Sequence, residues 1–331
     1  MGPTLERLAR ERHPALRRGA QPGWTQPMLA TLTDERFSDP DWIFERKLDG
    51  VRCLAFRRRG RVSLMSRNRK ALDNHYPELV EAISGQRTDP FIADGEIVAF
   101  DRGQTSFARL QGRMQLTDPD AARRTGIAVF LYLFDLLHVD RFDVTGLPLR
   151  DRKRVLRETL RFTGPLRLTS HRNAEGEAYY REACRRGWEG VIAKRASGAY
   201  VHGRSPDWLK FKCVNQQEMV VVGFTDPHGR RRRLGALLVG YYEGGKLRYA
   251  GKVGTGFDDT TLDRLGDRLE RLERDSSPLD GERPRERGVH WVRPELVAEI
   301  GFTEWTRDGR LRHPRYLGLR TDKPAREVVR E

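Results

Sequence analysis

The sequence predicts an α+β chain of two domains, on three observations. Strand-like runs interleave with helical candidates from Ile43 to about Val214. After Cys213 the texture changes to short strands around one helix. At 331 residues the chain is long for one core, and 37% hydrophobic residues can fill ordinary globular interiors.

Residues 1–24 are polar and Arg-rich without an apolar period, so they are expected to form a poorly ordered or loosely docked arm. From Ile43 to Ala99, β-rich runs are broken by Gly- and Asn-containing turns, with one helix near Tyr76–Ser84. Helices are also predicted over Thr105–Arg113, Arg150–Thr159 and Ala174–Arg186, and many of the strands are expected to be antiparallel. The boundary falls near Val214–Gln217, giving domains 25–214 and 215–331. In the second, strands over Glu218–Phe224, Leu234–Tyr241, Leu247–Val253, Val289–Val292 and Val297–Thr306, with a helix near Asp259–Arg271, suit a small Greek-key barrel of the OB type. Arg57–Arg59 reads as a solvated hairpin tip, and Tyr241–Lys246 as a hairpin turn.

No run of about 18 apolar residues is present, which argues against a membrane span; the N-terminus lacks the apolar stretch of a signal peptide, and the expectation is a cytoplasmic monomer. Cys53, Cys184 and Cys213 are odd in number and far apart, which fits reduced thiols. A net charge of +15 points to a polyanionic partner. Residues 215–331 carry 23 Lys and Arg against 20 Asp and Glu, a net of +3, so +12 lies in residues 1–214.

The segment Glu45-Arg46-Lys47-Leu48-Asp49-Gly50-Val51-Arg52 places one lysine where burial and neighbouring cations would lower its pKa and make it a nucleophile. Alone, K-x-D-G is weak, but further pieces follow in order. They are Ser66-Arg67-Asn68-Arg69, Asp94-Gly95-Glu96, Leu133-Phe134-Asp135, Glu189-Gly190-Val191-Ile192-Ala193-Lys194, Trp208-Leu209-Lys210-Phe211-Lys212 and Arg320-Thr321-Asp322-Lys323.

This series resembles the ordered motifs of the covalent nucleotidyltransferases, the superfamily of ATP-dependent DNA ligases, RNA ligases and mRNA capping enzymes. It is most similar to the ligase module of bacterial end-joining enzymes and their stand-alone relatives, from about Pro27 onward. The resemblance implies an adenylation domain with antiparallel sheets followed by an OB-fold domain. The substrates implied are ATP and nicked or broken duplex DNA, with end-joining repair proteins as partners and Mg2+ or Mn2+ as the metal.

By the same resemblance Lys47 takes AMP from ATP. Glu96 and Glu189 are oxygen ligands for the metal, and Lys210 and Lys212 hold the α-phosphate and depress the Lys47 pKa. Arg204 also meets the nucleotide. Phe134 stacks on adenine opposite Ile192, and Glu45 lies near the base. Arg52 and Glu96 contact ribose or phosphate. Arg67 does similar work or grips the 5′-phosphate of the nick, although Arg69 stands where the motif often has glycine. Asp49 either orients Lys47 or acts on the 3′-hydroxyl. Arg320 and Lys323 orient pyrophosphate. Lys252 is a candidate DNA contact, and Arg230–Arg233 is either a duplex grip or a solvated tip. An RNA ligase or capping enzyme shares the core motifs, but Pro27–Ala30 and the C-terminal Arg-x-Asp-Lys favour a DNA ligase. The reading from a different class is a non-catalytic nucleic-acid-binding protein with an OB barrel.

Overall fold

The computed structural model describes residues 2–114, 116–213, 215–227, 233–281, 284, 286–306 and 308–330. The chain divides into two compact units, Met1–Cys213 and Val214–Glu331.

In the first unit, alternation of apolar and polar side chains builds two sheets. The eight-stranded sheet runs Arg17–Arg18, Phe142–Asp143, Val129–Val139, Phe91–Asp101, Val51–Arg58, Arg61–Ser66, with two short strands pairing alongside. Val51, Cys53, Ala55, Phe91, Ala93, Ile97, Leu131 and Leu133 point to one face, into a core covered by helices. Their alternates Leu54, Phe56, Ile92 and Phe134 point to the other face and pack with Met28, Tyr200 and Trp208. Those partners belong to the second sheet and its connections. That sheet has five strands in the order His171–Asn173, Trp42–Lys47, Gly190–Arg195, Gly203–Lys212, Met28–Leu32, the last pair parallel. Its outer face buries Trp42, Phe44, Val191, Ala193 and Phe211 with Tyr179 and Ala183 of the helix Gly176–Arg185.

Two expectations give way here. Pro3–Arg10 is a helix, not a loose arm: Leu5 and Leu8 are buried in the main core, and Thr4 donates to Glu158 on the helix Leu149–Thr159. Cys184 and Cys213 are joined in a disulfide, while Cys53 is a free buried thiol. The fold brings the end of the helix Gly176–Arg185 against the residue that follows the strand Gly203–Lys212, a proximity that a separation of 29 residues does not disclose.

In the second unit the long strand Asn215–Thr225 pairs with Leu237–Glu243, Val289–Val292 and Val297–Phe302. The ladder ends at Lys246–Val253 on one side and at Arg315–Arg320 on the other, so among the described residues the OB-type sheet is not closed into a barrel by strand pairing. Gly256, at φ 94°, lies so close to the Tyr316 carbonyl that a Cβ would approach within 2.2 Å, and Tyr316 N donates to Thr255. The helix Asp259–Glu270 begins at an Asp258 cap that accepts from Thr261 N. The hairpin turn at Gly244 and Gly245, both with positive φ, is as predicted.

Candidate active site

Three strands of the five-stranded sheet present the site. Antiparallel register aligns Lys47 with Gly190 and Gly190 with Lys212, and in the adjacent row Glu45 with Ile192 and Ile192 with Lys210. Because side chains alternate, Glu45, Lys47, Ile192, Lys194, Trp208, Lys210 and Lys212 share one face. Opposite them the other sheet presents Arg52 in register with Glu96, and Glu96 with Tyr132, two residues before Phe134. Gly190 permits the close strand approach. Its φ is 152°, and a Cβ there would lie 1.9 Å from the Phe211 carbonyl oxygen. Gly50 is equally constrained, with a Cβ position 2.1 Å from the Ile97 oxygen, which explains the glycine after Asp49.

Lys47 is ion-paired with Glu189. Burial alone would push its pKa down, but Glu189, with Asp49 and Glu96 behind it, outweighs burial and holds the ammonium above its ordinary range. This corrects the expectation of a depressed pKa: the groups dominating the amine in the free protein are acids. Asp49 caps the helix Phe107–Met114 by accepting from Phe107 N at 3.2 Å. Glu96 and Glu189 thus flank Lys47 as two carboxylates. The described residues contain no preformed cluster of three or more acidic, His or Cys ligands. Two carboxylates suit magnesium, which keeps several waters and takes substrate phosphate oxygens as its other ligands.

Phe134 is 7% exposed and packs edge-on against Trp208 at 5.9 Å. Lys194 Nζ lies 4.0 Å from both ring centroids, and the Arg52 guanidinium 4.7 Å from that of Phe134. Glu45 is fully enclosed between Lys153 and Lys194, and burial, which raises its pKa, is overcome by the two ammonium groups, which hold it below the usual carboxylate range. Lys194 is 2.7 Å from Glu45 without a well-aligned hydrogen bond, and burial depresses its pKa to about 8. Arg52 is held by Asp94 through two bonds of 2.6 Å, and Asp94 also accepts from Tyr200.

Arg67 lies in the turn after Arg61–Ser66, where Ser66 is in register with Cys53 beside Arg52. Arg69 adopts φ 61°, the left-handed conformation that glycine adopts without strain, and donates its N–H to Ser66 O. Arg204 sits near the opposite end of its strand from Lys210 and Lys212, donating to Ala30 O at 2.7 Å. Arg320 and Lys323 belong to the second unit. There Arg320 pairs with Asp322 and Glu299, and Lys323 pairs with Glu218. Lys252 is paired with Glu286. Arg230, Arg231 and Arg232 lie outside the described residues; Arg233 faces Asp263, Asp267 and Glu270 of the helix, so its charge is locally balanced. Lys153 and Tyr200 fall in none of the sequence motifs, and Asp94 falls in one without a role of its own. Lys194 and Trp208 lay inside quoted motifs, and two-residue alternation from Ile192 and Lys210 was the signal that assigns both to the site face.

Comparison with known proteins places the chain in a family. The family described as ATP dependent DNA ligase domain matches residues 27–212, and ATP dependent DNA ligase C terminal region matches residues 230–323. The chain belongs to the ATP-dependent DNA ligase family. It is 39% identical over 318 residues to the multifunctional non-homologous end joining protein LigD of Pseudomonas aeruginosa, covering 94% of this chain and 37% of that protein. It is 37% identical over 311 residues to the Mycobacterium bovis protein of the same description, covering 92% and 40%. The chain therefore spans well under half the length of these curated relatives. A solved mycobacterial DNA ligase D complexed with ATP and MES matches with a TM-score of 0.68 and 34% identity over 93% of this chain and 98% of that one.

Proposed function

We propose that this ligase seals nicks in duplex DNA in three steps, using Lys47 as the adenylate carrier and serving the joining of broken ends. The observation that carries the reading is the grouping of Lys47, Glu96, Glu189, Lys210 and Lys212 on facing strands of a chain in this family.

In the first step the neutral Lys47 amine attacks the α-phosphorus of ATP, a phosphoramidate forms and pyrophosphate leaves. The amine must first lose its proton and part from Glu189. Lys210 and Lys212 stabilise charge on the phosphate, with Arg320 and Lys323 acting on the leaving pyrophosphate. Phe134 and Ile192 border the base, Glu45 lies at its rim, and Arg52, Arg67 and Arg204 serve ribose or phosphate. Mg2+ or Mn2+, held by Glu96 and Glu189, would supply Lewis-acid stabilisation of phosphoryl charge. In the second step AMP passes to the 5′-phosphate of the nick. In the third, the 3′-hydroxyl displaces AMP, with Asp49 available to orient the nucleophile. We place the reaction in the cytoplasm, with a monomer acting alongside end-joining repair proteins.

Mass spectrometry after incubation with ATP and a divalent ion should show one adenylate on Lys47, and labelled GTP should give none. Lys47→Ala should abolish adenylation and sealing while nick binding persists. Sealing that survives this substitution would disprove the assignment.

A further inference from the structure

Away from Lys47, the hairpin between Val51–Arg58 and Arg61–Ser66 forms a cleft of about 530 Å³. Phe56 and Met65 contribute its apolar floor, and Arg58, Arg59 and Arg61 its rim. Arg58 and Arg61 face each other directly in the strand register, an arrangement that like charges disfavour. Among the described residues no carboxylate lies within ion-pair distance of these three guanidinium groups. The nearby Asp89 is engaged elsewhere, accepting from Arg59 N at 2.9 Å and Gly60 N at 2.6 Å and lying 3.7 Å from Arg57 Nε. Arg58 reaches only the Gln21 carbonyl, at 3.5 Å. The turn is thus fastened from below while its cations remain exposed and unneutralised.

Three cations over an apolar floor match a polyanion that also offers flat apolar faces. Paired duplex keeps its bases stacked inward and would leave the floor unused, whereas an unpaired strand offers phosphates and free base faces together. The cleft also continues the nucleotide face. Arg52, Leu54, Phe56 and Arg58 project to the same side, and at about 3.3 Å per residue Arg58 lies roughly 20 Å from Arg52.

We propose that this cleft binds a single-stranded stretch of DNA adjoining the break, with Arg58, Arg59 and Arg61 on its phosphates and an unstacked base over Phe56 and Met65. The proposal rests on the ligase reading for its choice of polymer.

The test uses the full chain and Arg58→Ala/Arg61→Ala. Fluorescence anisotropy with a single-stranded oligodeoxythymidylate should show at least a tenfold loss of affinity at low salt. The slope of log affinity against log salt should fall by about 1.4, two phosphate contacts at roughly 0.7 each. Affinity for a blunt duplex of equal length should fall less than threefold, and adenylation of Lys47 should be unchanged. In the wild-type protein, an oligonucleotide carrying 5-iodouracil should photocrosslink to the segment containing Phe56 or Met65. Unchanged single-strand affinity, an equal loss for duplex, or crosslinks confined to other segments would each overturn the proposal. Failure of wild-type adenylation would instead remove the ligase reading, while the oligonucleotide arms still decide whether the cleft takes a single strand.

Discussion

Lys194 places an ammonium group among aromatic rings, with one carboxylate serving both it and Lys153. Its pKa falls from an ordinary 10.5 to about 8 because burial penalises the charge. The unfolded chain therefore holds that proton more tightly, and stability should rise as pH climbs from about 8 towards 10.5. Replacing the lysine by methionine keeps apolar volume over Phe134 and Trp208 and leaves Glu45 to Lys153. Urea melts at pH 7 and pH 9.5 should show this gain in the wild-type protein and its absence in Lys194→Met. A gain of equal size in both would show that another group is responsible. Arg69 offers a second test at this scale. Its left-handed backbone carries a steric cost that glycine avoids, so Arg69→Gly should raise unfolding stability by about 1 kcal/mol, measured by chemical denaturation.

Among the elements, the strand Gly190–Arg195 is the one on which the site's geometry turns, since it lies between the strands bearing Lys47 and Lys210. Gly190→Ala would drive a methyl group into the Phe211 carbonyl and should cost roughly 3 kcal/mol or more through backbone displacement. A melting temperature within 2 °C of wild type, at about 2–4 °C per kcal/mol for a chain this size, would contradict that packing. The disulfide ties the helix Gly176–Arg185 to the end of the Lys210 and Lys212 strand. Closing a loop of 29 residues lowers unfolded-state entropy by about 3–4 kcal/mol in the chain-entropy treatment, so the oxidised protein should melt above its Cys184→Ser variant. The N-terminal helix is illegible in the sequence for a physical reason: with Leu5 and Leu8 as its apolar residues turned fully into the core, eight residues are too few for a period to stand out. Leu8→Ala should cost about 2–4 kcal/mol, whereas a loosely docked arm would tolerate it.

At the scale of the whole molecule, the proposed reaction would call on Arg320 and Lys323, which lie in the second unit. If they act on pyrophosphate alone, Lys323→Ala should slow Lys47 adenylation by about 100-fold while leaving sealing of a pre-adenylated nick intact. Rapid-quench assays of the two half-reactions distinguish this from general damage, which would slow both. Ordered motifs made the family and the two-unit plan readable, and Lys47, Glu96, Phe134, Ile192, Lys210 and Lys212 lie on strands whose alternation is visible locally. The electrostatic state of Lys47 was not readable. Its controlling acid, Glu189, is 142 residues distant in the chain, and only strand pairing reveals that it outweighs burial. The disulfide and the balanced charge of Arg233 were hidden for the same reason.

Asp94 takes two hydrogen bonds from Arg52 and one from Tyr200, whose oxygen in turn accepts from Met28 N. A single carboxylate therefore pins a strand of one sheet to the Tyr200 connection of the other. Removing that carboxylate would release the guanidinium and the phenol together, loosening both layers at one point.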